Sequence, residues 1–191
     1  FLVIFLGCDG GSTKTEWLLV DHTGQVLAHR IFPGCNFAFW GEDGFRDLMV
    51  RSVQTLLADS GITSQQITSA MLSLTVYGEV PGTEEFFPQV MQSILPDCPL
   101  QFSNDSVAGW CGSLAGRPGI NIVAGTGSVA YGQDSAGNAS RVGGWSLFFA
   151  DEGSCSWVAR QMITEFVKQA DGRHPRSAIY EELRRELSIT H

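Results

Sequence analysis

A glycine-rich segment near the start of the chain combines residue types that can bind a phosphate group. Residues 7–15 read Gly-Cys-Asp-Gly-Gly-Ser-Thr-Lys-Thr between two apolar runs. Adjacent glycines let backbone N–H groups converge on one anion, while Ser12, Thr13 and Lys14 add donors. Asp9 offers oxygen ligands to a hydrated Mg²⁺ that bridges phosphate oxygens. A β-hairpin that needs glycine only for its tight turn explains the same segment, so taken alone it leaves both interpretations open.

A second glycine–hydroxyl turn, Gly-Thr-Gly-Ser at residues 125–128, follows the apolar run 120–124. The order of strand, glycine–hydroxyl turn and strand therefore occurs twice, about 115 residues apart. Two such turns could hold one polyphosphate between them.

Asp105 follows Asn104 and the short apolar run 100–103, and it precedes a run of small and apolar residues. Such an aspartate is commonly the N-cap of a helix. It can also be a general base, because α/β folds place their sites at the carboxyl ends of strands. One residue can serve both purposes.

Two further segments carry polar groups among aromatic residues. Residues 32–41 contain four aromatic side chains around Asn36, and we predict a loop that either caps the core or forms one wall of a pocket. Residues 141–154 join the pair Gly143–Gly144 and an exposed Trp145 to Asp151, a carboxylate near the head of a helix.

Alternating strands and helices are expected to position these residues. We predict strands over 1–6, 16–20, 25–31, 69–74, 100–103, 120–124 and 129–132. We predict helices from 43 to 57, from 83 or 84 to 94, from about 105, from about 155 to 170 and from 178 to 187. The turn at residues 116–119 is the predicted domain boundary.

Composition excludes several classes of protein. The net charge of −8 argues against binding a polyanion such as a nucleic acid or an anionic membrane surface. The first apolar run is far too short to span a bilayer and has no basic leader. Five scattered cysteines without C-x-x-C spacing are typical of a reducing compartment, so we expect a cytoplasmic protein.

Taken together, the motifs resemble those of the BadF/BadG/BcrA/BcrD ATPase family within the sugar kinase and actin superfamily. The segment 8–15 resembles the first phosphate loop of the family, and 125–128 resembles its second. Asn104–Asp105 occupies the place of the catalytic aspartate, and Gly143–Trp145 with 151–154 resembles the amino-sugar block of the N-acetylglucosamine kinases in that family. Four motifs in the same order are far more specific than any one of them.

What the resemblance implies is ATP-dependent phosphorylation of an amino sugar, in the N-acetylglucosamine case at O6, with ATP and Mg²⁺ as cofactors. Asp105 would accept the proton of the attacking hydroxyl, and Asp9 would hold Mg²⁺. The implied phosphate-binding residues are Gly10, Gly11, Ser12, Thr13, Lys14, Gly125, Thr126 and Gly127. The implied sugar-binding residues are Asn36, Asp105, Ser128, Val129, Gly144, Trp145, Ser146 and Asp151.

The resemblance also implies the architecture, an α/β actin-like (ribonuclease H-like) fold in which two such domains flank a cleft. We expect a complete first domain over 1–117, the beginning of a second over 118–191 without an adenine-binding region, and a homodimer. Two alternatives stay open. An ATPase activator of a 2-hydroxyacyl-CoA or benzoyl-CoA reductase system would need a cluster-binding cysteine pair, for which Cys98 and Cys111 are the nearest candidates. A non-catalytic sugar-binding fragment would fit the missing adenine region.

Overall fold

The computed structural model describes residues 3–145 and 147–188 of this mixed α/β chain. The chain divides into two compact units, unit 1 (Phe1–Arg117) and unit 2 (Pro118–His191). Whether they are a complete and an incomplete actin-like domain stays a prediction. None of the helices in the described ranges is long and apolar enough to cross a membrane.

Unit 1 is built on a five-stranded sheet in the order β3-β2-β1-β4-β5. Its strands are β1 (Ile4–Gly10), β2 (Lys14–Asp21), β3 (Val26–Pro33), β4 (Ile67–Leu74) and β5 (Leu100–Ser103). Strand β2 is antiparallel to β1 and β3, whereas β4 is parallel to β1 and β5. The strands β1, β3, β4 and β5 therefore all end at one edge of the sheet, which we call the carboxyl edge.

Three helices accompany this sheet: α1 (Phe37–Ser60), α2 (Thr83–Ile94) and α3 (Asp105–Leu114). Alternate residues of the strands point to opposite faces, so Leu6 and Cys8 of β1 are buried in the core while Asp9 is on the other face. The core also takes in residues of α1 and α2, including Phe45 and Phe87, whose rings stack with centroids 4.2 Å apart. Helix α3 packs against β1 and β4.

Two predictions for unit 1 are corrected by the structure. The glycine turn comprises only residues 11–13, because β1 continues through Gly10 and β2 begins at Lys14. Residues 37–40 were predicted as a loop but begin α1, since Asn36 caps the helix and the Phe37 ring packs against Phe45, Phe86 and Phe87. Gly41, with φ 63° and ψ −174°, interrupts that helix and separates this first turn from the predicted part.

Unit 2 contains a three-stranded antiparallel sheet and two helices. The strands are β6 (Gly119–Ala124), β7 (Ser128–Gln133) and β8 (Ala139–Gly143), in that order, and the helices are α4 (Cys155–Ala170) and α5 (Ala178–Glu186). The rings of Phe166 and Tyr180 stack at 5.0 Å between the two helices. Strand β8 was not predicted, because its sequence Ala-Ser-Arg-Val-Gly has little apolar content.

Candidate active site

The carboxyl edge of the unit 1 sheet brings three of the predicted site segments together with Thr75, which the sequence analysis did not single out. The turn 11–13 joins β1 to β2, residues 34–36 follow β3, Thr75 follows β4, and residues 104–105 follow β5. The turn is bonded to two of the other three segments. Thr75 N donates to Gly10 O at 2.7 Å, just before the turn, and the N–H groups of residues 34 and 35 donate to carbonyls in it.

The glycine turn itself is tightly packed against its neighbours. Gly11 N donates to Lys14 O at 2.9 Å, which closes the turn. A Cβ on Gly10 would lie 2.6 Å from a methyl carbon of Leu74 and 2.7 Å from the Cys35 sulfur, so any larger residue there would displace these two buried side chains. The Ser12 hydroxyl lies 3.4 Å from the Thr75 hydroxyl. Because the Gly11 N–H is used inside the turn, the candidate phosphate donors in this conformation are the hydroxyls and the other amides of the turn.

Lys14 and Asp9 lie on the same face of the β1–β2 hairpin, beside Glu16. Asp9 stands directly opposite Glu16 in the cross-strand register. The Lys14 ammonium donates to Glu16 Oε2 at 2.6 Å, and His29 Nε2 pairs with Glu16 Oε1 at 2.8 Å. In this structure Lys14 is therefore held by Glu16.

The electrostatics of these carboxylates differ. Partial burial raises the pKa of Asp9, the negative charge of Glu16 raises it further, and Lys14 opposes both effects. Hydrogen bonds from Lys14 and His29 lower the pKa of Glu16. Asp9 is therefore the carboxylate whose negative charge is poorly compensated, which favours a cation beside it.

A cavity of about 670 Å³ lies over this face of the sheet. Asp9, Glu16 and His29 form part of its lining, together with the apolar side chains of Leu18 and Met71. Helix α3 contributes Val107, Ala108 and Cys111 to the same cavity.

Gly34 and Cys35 fasten the glycine turn to the start of α1. Gly34 N donates to Thr13 O and Cys35 N donates to Gly11 O, both at 3.1 Å. A Cβ on Gly34 would lie only 2.1 Å from the Ser12 carbonyl oxygen. Burial raises the pKa of the Cys35 thiol to about 11, and the negative charge of Asp105 adds to that rise.

Asn36, the predicted sugar ligand, begins α1 as its N-cap. Its side-chain oxygen accepts a hydrogen bond from Ala38 N at 3.0 Å. The Trp40 indole N–H donates to Gly34 O at 2.7 Å, which fixes the first turn of the helix to the same segment.

Asp105 is the first residue of α3, and the structure corrects the interpretation of Asp105 as its N-cap. The cap is Asn104, whose side-chain oxygen accepts from Ser106 N at 3.1 Å and from the Ser106 hydroxyl at 2.8 Å. The Asn104 amide NH₂ donates to Glu79 Oε1 at 2.7 Å. The capping function thus belongs to Asn104, and Asp105 follows it at the carboxyl end of β5.

Several polar residues at this edge were missed by the sequence analysis. Ser73 and Ser103 join neighbouring strands through a hydroxyl–hydroxyl hydrogen bond of 2.7 Å, and Thr75 and Glu79 lie in the segment after β4. The serines could have been found, because both are polar residues at the ends of adjacent parallel strands. No local sequence pattern marked Glu79 as a site residue, because its partner Asn104 lies 25 residues away in the chain.

In unit 2, the second glycine–hydroxyl turn is bonded to the segment 151–155. Gly125 N donates to Gly127 O and Cys155 N donates to Gly125 O, both at 2.9 Å. The Ser128 hydroxyl donates to Glu152 O at 2.9 Å. Thr126 lies between the two glycines at the tip of the turn.

Asp151 is both buried and conformationally constrained. Its side chain is buried, with 5% of the residue exposed, and its backbone is in the left-handed region at φ 62°. Within the described residues its Oδ1 atom has no hydrogen-bond partner, and a Cβ on Gly127 would lie 2.7 Å from its Oδ2. Buried polar groups are nearly always paired, so an unpaired carboxylate oxygen in a strained residue is typical of a ligand site.

The described ones among the other predicted sugar ligands of unit 2 are Ser128, Val129, Gly144 and Trp145. Gly144 N donates to Ser128 O at 2.8 Å, and a Cβ on Gly144, which has φ 69°, would lie 3.4 Å from Val129. Trp145 is 84% exposed, as predicted from the sequence. Ser146 lies outside the described residues.

Cys98 and Cys111, the candidate cluster-binding cysteines of an ATPase activator, differ in exposure. Cys98 is buried before β5, whereas Cys111 is exposed on α3. The two thiols therefore do not form one exposed pair.

The curated relatives of this chain include N-acetylglucosamine kinases. An N-acetyl-D-glucosamine kinase of Dictyostelium discoideum is 26% identical over 98% of this chain and 61% of its own length. An N-acetylmuramic acid/N-acetylglucosamine kinase of Clostridium acetobutylicum is 26% identical over 88% of this chain and 55% of its own. The chain thus spans about three-fifths of the length of these curated relatives.

Solved structures agree on the fold. A provisionally assigned N-acetylglucosamine kinase from Chromobacterium violaceum matches with a TM-score of 0.72 at 21% identity, over 96% of this chain and 63% of that one. The α/β fold of the actin-like sugar kinases, expected from the sequence, is therefore confirmed. The model of the BadF/BadG/BcrA/BcrD ATPase family matches residues 6–188. The chain is a member of the BadF/BadG/BcrA/BcrD ATPase family.

Proposed function

We propose that this chain belongs to an ATP-dependent kinase that phosphorylates an amino sugar, most simply N-acetylglucosamine at O6. The observation that carries the proposal is the carboxyl edge of the unit 1 sheet, where the glycine turn, Asn36 and Asp105 lie on segments that end together. Phosphoryl transfer depends mainly on positioning and on charge neutralisation, and this edge supplies groups for both.

Each group has a role in that reaction. Asp105 accepts the proton of the attacking sugar hydroxyl as the new O–P bond forms. Asn36 presents an amide to the sugar, and the hydroxyls of Ser12 and Thr13 bind phosphate oxygens. Lys14 has two possible roles. Its ammonium either leaves Glu16 and pairs with a phosphate oxygen, or it stays with Glu16 and compensates the negative charge of the carboxylates beside the phosphate.

Asp9 fits Mg²⁺ as a single carboxylate ligand beside a bound nucleotide. No cluster of three or more His, Cys, Asp or Glu that could hold a metal occurs in residues 3–145 and 147–188. A single carboxylate completed by phosphate oxygens and water is the usual arrangement for Mg²⁺ with a nucleotide. Asp9, whose pKa is raised beside Glu16, would hold the ion, and the ion would neutralise phosphate charge.

Unit 2 would add phosphate and sugar contacts. The turn Gly125–Gly127 supplies amide and hydroxyl donors. The buried Asp151 has an oxygen atom without a partner, which a sugar hydroxyl would satisfy. Ser128, Val129, Gly144, Trp145 and Ser146 stay predicted sugar ligands, and the homodimer and cytoplasmic location also stay predictions.

The test is sugar-dependent ADP release, measured with N-acetylglucosamine and with its 6-deoxy analogue. We expect release with the sugar and none with the analogue. Asp105→Asn should lower kcat by about 10²–10⁴-fold, whereas Asp97→Asn, an exposed loop residue with the same change of charge, should not. ADP release that does not depend on the sugar would contradict the proposed kinase activity. An Asp105→Asn protein with wild-type activity would contradict the role of Asp105 as the general base.

A further inference from the structure

The loop between β4 and α2, residues 75–82, has an unusually constrained backbone. Val76 has φ 61°, and Gly78 and Gly82 have φ 74° and 87°. A positive φ is a genuine outlier for a β-branched residue such as valine. Such conformations persist only where the surrounding structure enforces them, and they cluster at functional sites.

A buried threonine enforces the conformation of this loop. The Thr83 hydroxyl donates to Val80 O at 2.7 Å and accepts from Gly78 N at 3.2 Å. Glu79 N donates to Val76 O at 3.0 Å inside the loop. At its first residue, the loop is bonded to β1 through Thr75 N and Gly10 O. Glu79 is therefore carried by a fixed segment that is anchored beside the glycine turn.

The Glu79 carboxylate contacts Asn104, the residue that caps α3. Its Oε1 accepts a hydrogen bond from Asn104 Nδ2 at 2.7 Å. An ionised carboxylate can only accept, so it pairs with the NH₂ end of the asparagine amide and not with the oxygen end. That choice directs Asn104 Oδ1 to Ser106 N and to the Ser106 hydroxyl, the two bonds that begin α3.

We propose that Glu79 is a positioning residue for Asp105, acting through the side-chain amide of Asn104. By selecting the amide orientation, Glu79 holds the first turn of α3, and with it the Asp105 backbone, in one position at the end of β5. This inference rests on the proposed role of Asp105 as the base. The same loop also contacts the glycine turn through Thr75. One loop therefore contacts both the glycine turn and the cap of the helix that carries the proposed base.

The experiment compares Glu79→Ala with Glu79→Gln in the full chain. Glu79→Ala should lower kcat for sugar-dependent ADP release about five- to tenfold while KM for ATP stays unchanged, because the loss is a hydrogen bond that positions the base. Glu79→Gln should restore most of the rate, since its amide oxygen still accepts from Asn104. The matched control is Glu85→Ala, which removes an exposed carboxylate from the first turn of α2.

A second readout does not depend on activity. Amide hydrogen exchange at Ser106 should accelerate in Glu79→Ala and stay near the wild-type rate in Glu79→Gln and Glu85→Ala, because only the first loses the orientation of the cap. A wild-type kcat in Glu79→Ala, an equal rise in KM, or unchanged exchange at Ser106 would overturn the inference. If wild-type protein shows no sugar-dependent release, the proposed function fails, and Ser106 exchange alone decides whether Glu79 holds the cap.

Discussion

At the scale of single residues, the pair Asp9 and Glu16 shows how the site departs from the most stable arrangement. Like charges directly opposite each other on neighbouring strands destabilise a sheet, and these two carboxylates are cross-strand partners. Glu16 is compensated by Lys14 and His29, whereas the pKa of Asp9 is raised. The uncompensated charge is an expected cost of the cation site proposed for Asp9.

Asp9→Asn is predicted to stabilise the protein while it impairs catalysis. Because the pKa of Asp9 is raised on folding, the folded state holds that proton more tightly than the unfolded state, and the ionised carboxylate opposes folding at neutral pH. The melting temperature should therefore rise at pH 7, and the gain should vanish as pH falls through the folded pKa of Asp9.

The catalytic part of the same prediction concerns metal. The Mg²⁺ concentration that gives half-maximal sugar-dependent turnover should increase at least about tenfold in Asp9→Asn. Thermal unfolding between pH 3 and 8 and a Mg²⁺ titration measure the two effects, with Asp97→Asn as the control. An unchanged Mg²⁺ requirement would contradict the role of Asp9, and a lower melting temperature at pH 7 would contradict the electrostatics.

At the scale of secondary-structure elements, Gly34 fixes the distance between the glycine turn and α1. Its position leaves no room for a side chain, because the Ser12 backbone occupies the space. Two backbone hydrogen bonds continue the pairing of β2 with β3 beyond Pro33. The glycine turn and the helix that begins at Asn36 are thus joined directly by backbone hydrogen bonds.

Gly34→Ala is predicted to weaken nucleotide binding and to destabilise unit 1 by about 1–3 kcal/mol, the usual cost of overpacking. Gly112→Ala is the matched control: its Cβ would meet nothing within 4 Å, and it lies inside α3. That control should stabilise the helix by about 0.5–1 kcal/mol. Calorimetric titration with MgADP and urea unfolding distinguish the two variants, and equal MgADP affinity in both would show that the turn tolerates displacement.

Local sequence signals predicted most elements but not all of their ends. Strand β5 and helix α2 were predicted at their observed positions, because apolar periodicity and flanking prolines mark them. The start of α1 was missed because its aromatic residues suggested a loop, while their packing against α2 is a tertiary effect. Local motifs marked the glycine turn and Asp105 as candidate site residues, whereas the Glu79–Asn104 contact was not predicted, since only the folded chain brings these residues together.

At the scale of the whole molecule, the two units differ in how much apolar surface they bury. The buried core of unit 1 runs through three strands and two helices, from Ile4 to Cys98. In the described part of unit 2, the buried apolar side chains are Phe166 and Tyr180, whereas Ile120 and Ile122 of β6 are more than 70% exposed. Local stability follows buried apolar contacts, so the units should open with different free energies.

Native-state hydrogen exchange should reveal this difference in the intact chain. Amides of β1 and β4 are predicted to exchange about a hundredfold more slowly than those of β6 and β7, which corresponds to about 2.7 kcal/mol in opening free energy. Mass spectrometry of peptides from the two sheets measures the ratio. Equal protection in both sheets would mean that β6 and β7 are stabilised by contacts other than the core described for unit 2.

The exposure of the free cysteines makes two of them suitable for labelling with a thiol-reactive probe. Cys8, Cys35 and Cys98 are buried, and burial raises the pKa of each of their thiols, so little reactive thiolate forms. Cys111 on α3 and Cys155 at the start of α4 are exposed. A maleimide dye or spin label should therefore attach once in each unit of the natural sequence, and the distance between the two labels would report any domain closure when sugar and nucleotide bind.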